Sequence, residues 1–158
     1  MRFYEYRHRV CFEETNIVGN VYYAHYVRWQ GRCREMFIRD HVPHLTQEFA
    51  QGLTLATTRV SCSYYQELSA FDEVLIRMSA AAMSPGRLTM LFQFFRVLAD
   101  GGETLVAEGE QEVACVQRSG VHLQPAPLPS ALCHAVKKYI TPKEPLSAQF
   151  AVSGPDPT

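Results

Sequence analysis

At 158 residues the chain has the size of one ordinary domain, and 47% hydrophobic with 20% charged residues is the composition of a globular protein, not a disordered or fibrous one. With 15 basic and 16 acidic side chains, the formal net charge of −1 gives no broad attraction to nucleic-acid phosphates or anionic membranes. The five scattered cysteines argue against a disulfide framework, the charged amino-terminal stretch lacks the marks of a secretory signal, and no apolar run approaches the roughly 20 residues of a membrane-spanning helix, so a cytoplasmic protein is expected.

From Phe3 to Phe12 bulky and charged residues roughly alternate, which predicts a half-buried first strand. The next stretch, EETNIVGN, carries turn formers and Gly19, and reads as a loop. After Asn20 the period changes. Tyr22, Tyr26, Trp29, Cys33, Met36 and Phe37 recur at three- and four-residue steps, the mark of one helical face, and the helix is expected to run to about Asp40 before Pro43 ends it. Arg28, Arg32, Arg39 and Asp40 fall on its other face.

Four segments rich in β-branched and aromatic residues follow: 53–68, 73–83, 87–99 and 104–117. They read as consecutive strands, because Pro85-Gly86 and Asp100-Gly101 are dipeptides of tight antiparallel turns. Beyond Pro125, Pro127 and Pro129, a short helix is expected from an N-cap at Ser130, and the tail from 141 to 158 is expected to be poorly ordered. One strand, one long helix and four antiparallel strands pack most simply as a single α+β domain over residues 1–140, with the aromatic stripe of the helix against a curved sheet. The open sheet edges predict pairing between protomers.

Where the first strand, loop and helix meet, the chain reads FEETNIVGNVYYAHYVRWQGRCRE. This segment resembles the signature of the 4-hydroxybenzoyl-CoA thioesterase branch of the hotdog superfamily: Asp-Thr-Asp, two small residues and Gly, then Val-Tyr, Asn-Tyr and an Ala-Arg pair. Glu14-Thr15-Asn16, Gly19, Val21-Tyr22, Tyr26 and Arg34 stand in the matching places. Two positions depart from the pattern. Asn16 replaces the family's catalytic Asp, and His25 replaces the Asn ahead of Tyr26. An amide cannot act as nucleophile or general base near neutrality. Loss of this acid, together with the region from Tyr22 to Arg34, resembles the acyl-carrier-protein thioesterases of enediyne polyketide biosynthesis.

The resemblance implies a hotdog fold, a homo-oligomer assembled as a tetramer of two dimers, no cofactor, and hydrolysis of a polyene thioester from a carrier protein with decarboxylation of a β-keto product as sequel. It implies that Asn16 positions water, that the backbone N–H of Tyr23 at the helix start stabilises the oxyanion, and that Arg34 meets the acyl group or the water. Glu13, Glu48 and Glu67 stay open as remote bases. Gly19, Tyr22, Tyr26, Trp29 and Thr57 are candidates for the substrate channel, although such aromatics are more often core and a strand Thr is more often packing.

Bland readings compete elsewhere too. Helical arginines such as Arg34 usually sit in solvent or in surface ion pairs, and an Asn before a Gly turn usually caps backbone. Arg28, Arg32, Arg39 and Arg87 suit a phosphopantetheine phosphate or an acidic carrier protein, or simply water. Pro43 breaks the helix that would align His41 with His44, so no metal site is expected. Cys33 lies on the inner stripe and reads as an inert thiol. Two rival functions remain: an acyl-CoA thioesterase of general metabolism, and an acyl-binding protein without catalysis.

Overall fold

A computed structural model describes residues 2–141; the tail expected beyond Thr141 lies outside the described residues. Strand β1 (Tyr4–Arg9) leads through a short 3-10 turn (Phe12–Glu14) to helix α1 (Ala24–His41) and a single turn-and-a-half, α2 (Leu45–Ala50). Strands β2 (Leu53–Tyr64), β3 (Glu73–Met83), β4 (Arg87–Val97) and β5 (Glu103–Ser119) follow, then β6 (His122–Pro125) and helix α3 (Ser130–Lys137). The sheet is antiparallel in the order β1-β3-β4-β5-β2, and β6 pairs with β5 beyond the end of β4.

Register shifts fall between Thr57 and Arg59, between Ala80 and Ala82, and between Phe94 and Phe95. Each such bulge adds local twist, and together they curl the sheet around α1. Tyr26, Trp29, Cys33 and Phe37 are buried along α1 as the period predicts, with Phe92 and Phe94 of β4 buried on the sheet. Tyr26 meets the Phe94 ring edge-on at 5.5 Å. Of the expected stripe, Met36 is only half-buried and Tyr22 lies ahead of the helix with its ring exposed, while Ile38 is buried.

One glycine sets how closely helix and sheet approach. A Cβ on Gly109 of β5 would stand 2.1 Å from the Gln30 side-chain nitrogen. Gln30, fully buried on α1, donates that nitrogen to the Ser61 carbonyl of β2 at 3.0 Å. The missing side chain therefore lets α1 reach over β5 to the edge strand.

Boundaries moved where distant partners intervene. Helix α1 starts at Ala24, not near Asn20, because the chain before it is held extended: Val21 bridges Thr15 and donates its N–H to the Leu68 carbonyl. Strand β2 stops at Tyr64, and Leu68 is buried in the loop that follows. The N-cap of α3 is Pro129 and Ser130 is its first helical residue, so the helix begins one position earlier than expected. The short elements α2 and β6 were not anticipated.

Candidate active site

The Asn16 turn is built by backbone. Asn16 N–H donates to the Asn20 carbonyl at 2.8 Å, Gly19 N–H to the Asn16 carbonyl at 2.9 Å, and Asn16 Oδ1 accepts from Val18 N–H at 3.1 Å. Gly19 closes the turn at φ +88°, a conformation that favours glycine. The turn thrusts Ile17 and Val18 into solvent.

Beside it α1 begins. Tyr22 N–H is already spent on the Glu14 carbonyl at 3.0 Å, so it is not available to a substrate. Among the described residues Tyr23 N–H meets no acceptor, and it opens the helix where amides are unsatisfied and the dipole is positive. The Tyr22 and Tyr23 rings are exposed and meet at a tilt with centroids 4.5 Å apart, with the Tyr64 hydroxyl donating to the Tyr23 carbonyl at 2.9 Å.

Behind the turn lies Glu14, a carboxylate that the sequence presents only as a motif position. It is buried at 7% exposure. Cys11 N–H donates to Oε1 at 2.8 Å, Trp29 Nε1–H donates to Oε2 at 2.7 Å, and His8 Nε2 lies 2.8 and 3.0 Å from the two oxygens. Burial acts to raise its pKa, but the Cys11, His8 and Trp29 bonds outweigh it and hold the carboxyl below its ordinary value. Trp29, almost wholly buried, is thus committed to Glu14 and the core. Tyr26 is also core; burial pushes its hydroxyl up to about 12. Burial likewise raises the Cys33 thiol, which leaves it protonated and inert.

Arg34 forms a second centre. Its Nη1 donates to Gln111 Oε1 at 2.7 Å and lies 3.5 Å from Thr57 Oγ1, while no carboxylate pairs with it among the described residues. Burial lowers its pKa, yet a guanidinium stays charged. Gln111 is buried, and sequence reasoning missed it. The signal was present: Gln111 shares its two-residue step along β5 with Val113 and Cys115, all facing inward. Thr57 itself is exposed on the edge strand.

Arg34 stands at the rim of an apolar cleft between α1, the sheet and α3, lined among others by Phe37, Leu55, Met90, Leu132 and Tyr139. The cleft holds about 10 Å³ of free space, roughly the room of one water. Leu55, not Thr57, is the β2 residue that lines it.

The two centres do not meet within one chain. Arg34 stands eleven positions beyond Tyr23, about 16 Å along the helix axis. Glu13, Glu48 and Glu67 make no hydrogen bond to Asn16 or Arg34 among the described residues. Among the described residues no group of three or more metal-holding side chains occurs, and no helix is long and apolar enough to cross a membrane.

The fold and these residues have relatives. The crystal structure of the dynemicin thioesterase, described for induced-fit and allosteric effects upon polyene binding, superposes with a TM-score of 0.85 at 46% identity, covering 89% of this chain and 99% of that one. The 4-hydroxybenzoyl-CoA thioesterase of Pseudomonas sp. strain CBS-3 shares the fold at a TM-score of 0.72 and 18% identity, over 85% of this chain and 99% of its own. The acyl-CoA thioester hydrolase YbgC of Escherichia coli is 26% identical over 132 residues, 82% of this chain and 92% of the relative. The model of the thioesterase-like superfamily matches residues 10–136, from the end of β1 through α3 and across both centres. The chain therefore belongs to the thioesterase-like superfamily, as a hotdog-fold hydrolase of acyl thioesters.

Proposed function

We propose that this enzyme releases a polyketide polyene from the phosphopantetheine of an acyl carrier protein, in the cytoplasmic biosynthesis of an enediyne. The observation that carries the reading is Arg34, a desolvated cation without a carboxylate partner at the rim of an apolar cleft. Such a charge is costly unless it meets an anion, and thioester hydrolysis supplies one. The 46% identity to the dynemicin thioesterase supports the polyene.

In this mechanism Tyr23 N–H stabilises the oxyanion as water attacks the thioester carbonyl. Asn16 orients that water by hydrogen bonding and takes no proton; the proton passes to solvent, the C–S bond breaks as the tetrahedral intermediate collapses, and the thiolate leaves and takes a proton back from solvent. Arg34 favours hydroxide and then holds the carboxylate of the product; a β-keto acid so released loses carbon dioxide readily. The acyl chain enters the cleft between α1 and α3, which opens to admit it.

A single chain separates Asn16 from Arg34, so the working unit is a dimer. Strand β2 is a free edge, exposed on both faces from Thr57 to Ser61, and Ile17, Val18, Tyr22 and Tyr23 stand exposed at the site's other centre. Antiparallel pairing of β2 with its copy brings Asn16 towards Arg34 of the partner subunit. Two such dimers make the tetramer.

The test is thiol release from acyl-carrier-protein and acyl-CoA thioesters matched in chain. Faster release from the carrier protein supports the reading. Equal or faster release from CoA points to general acyl-CoA metabolism, and no turnover on either with retained acyl binding points to a non-catalytic protein.

A further inference from the structure

We propose that Glu14 is a positioning residue for thioester hydrolysis, its buried carboxylate acting as the single peg that fixes both the Asn16 turn and the free Tyr23 amide. This inference rests on the reading of the site above, but its structural half is testable without it. The bonds to one residue come from four places. His8 reaches it from β1, Cys11 from the turn after that strand, Trp29 from the second turn of α1, and Tyr22, the neighbour of Tyr23, through the Glu14 carbonyl. Asn16 lies two residues on, and the Thr15–Val21 bridge and the Asn16–Asn20 bond close the intervening loop.

Glu14 is the acid next in sequence to Asn16, yet the geometry rules it out as the base. It is 7% exposed, and both oxygens already face donors. Three N–H donors already converge on its two oxygens, and its burial leaves attacking water no path to them that does not displace one of these bonds. The loop instead depends on the carboxylate being an acceptor on both oxygens. A glutamine of the same size cannot replace it: whichever way the amide turns, its NH₂ group faces an N–H, from Cys11 on one side or Trp29 on the other. The loop must then shift, and misplacement of reacting groups by fractions of an ångström is enough to slow a reaction severely.

The experiment compares wild type, Glu14→Gln and Trp29→Phe, each confirmed folded by circular dichroism. Amide exchange is read over residues 15–23, with β3 and β4 as internal reference, and turnover of an acyl-carrier-protein thioester is measured alongside. For Glu14→Gln the expected result is exchange faster by about tenfold or more in 15–23 alone, and kcat lower by about tenfold or more with KM changed less than about twofold. Trp29→Phe removes one donor and keeps the ring packing, so it shows the same pattern in smaller measure. It carries the test if Glu14→Gln does not fold. Trp29 is the only tryptophan, so its emission in Glu14→Gln reports directly whether its bond or that of Cys11 is the one lost. Unchanged exchange over 15–23 overturns the peg, and so does wild-type kcat in a variant whose overall stability has fallen. If wild type itself is inactive the proposed function fails, and the exchange measurement alone decides the role of Glu14.

Discussion

Arg34 carries its charge to a place where its hydrogen-bond partners, Gln111 and Thr57, are neutral. An unpaired, desolvated cation weakens the fold it sits in, so Arg34→Ala is expected to keep or raise the melting temperature while lowering kcat/KM about 100-fold or more. Calorimetry and thioester turnover on the same preparation check both halves, and full activity in the variant removes Arg34 from the mechanism. Asn16 makes the opposite kind of prediction. Asn16→Asp retains an acceptor for Val18 N–H and restores a titratable group, so hydrolysis of simple thioesters is kept or raised. Its pH–rate profile should gain an acid limb at about pH 4, the ordinary aspartate range, which wild type lacks. At Glu14 the pKa lies lower in the folded protein than in the unfolded chain. Its contribution to stability is therefore present above the unfolded value and is lost as pH falls through the folded one. Denaturation midpoints of wild type and Glu14→Gln should differ at neutral pH and converge on acidification; a constant gap contradicts the assignment.

Helix α1 and strand β5 touch where Gly109 leaves room for Gln30. Gly109→Ala forces the amide aside and is expected to destabilise by about 1–3 kcal/mol, and most of that loss should vanish in a Gln30→Ala background, as urea denaturation of the four proteins would show. This contact, unlike the elements that make it, is not legible in the sequence. The helix face Tyr26, Trp29, Cys33 and Phe37 follows from local period, and the strand starts at Leu53, Glu73 and Arg87 follow from turn chemistry. The start of α1 does not, because Glu14 and Leu68 hold Val21 and Tyr22 from positions far along the chain or round a loop. Strand β6 is short and ends in proline, so its composition hides it. The motif brings Asn16, Gly19, Tyr23 and Arg34 forward as candidates. The convergence of His8, Cys11 and Trp29 on Glu14 was not, since three separate elements must fold before those donors meet. The distance from Tyr23 to Arg34 needed only helical rise, and that simple sum points beyond one chain.

At the scale of the whole molecule, a site shared across a two-fold axis has a signature that no single variant gives. Asn16→Ala and Arg34→Ala are each expected to be nearly inactive, whereas unfolding and refolding them together should restore activity to about a quarter of wild type, since random pairing places both intact residues in one site of each mixed dimer. If mixing restores nothing, both residues act within one chain. The cleft behind Arg34 adds a different consequence. It holds the room of one water, so it offers no ready-made channel of fixed length. On the proposed reading the acyl chain itself must wedge α1 from α3, and each buried methylene contributes only about 0.8 kcal/mol towards that opening. Short acyl groups fall below the threshold and long ones exceed it. Discrimination by length then comes from the stiffness of a closed core, not from a wall at the end of a pocket.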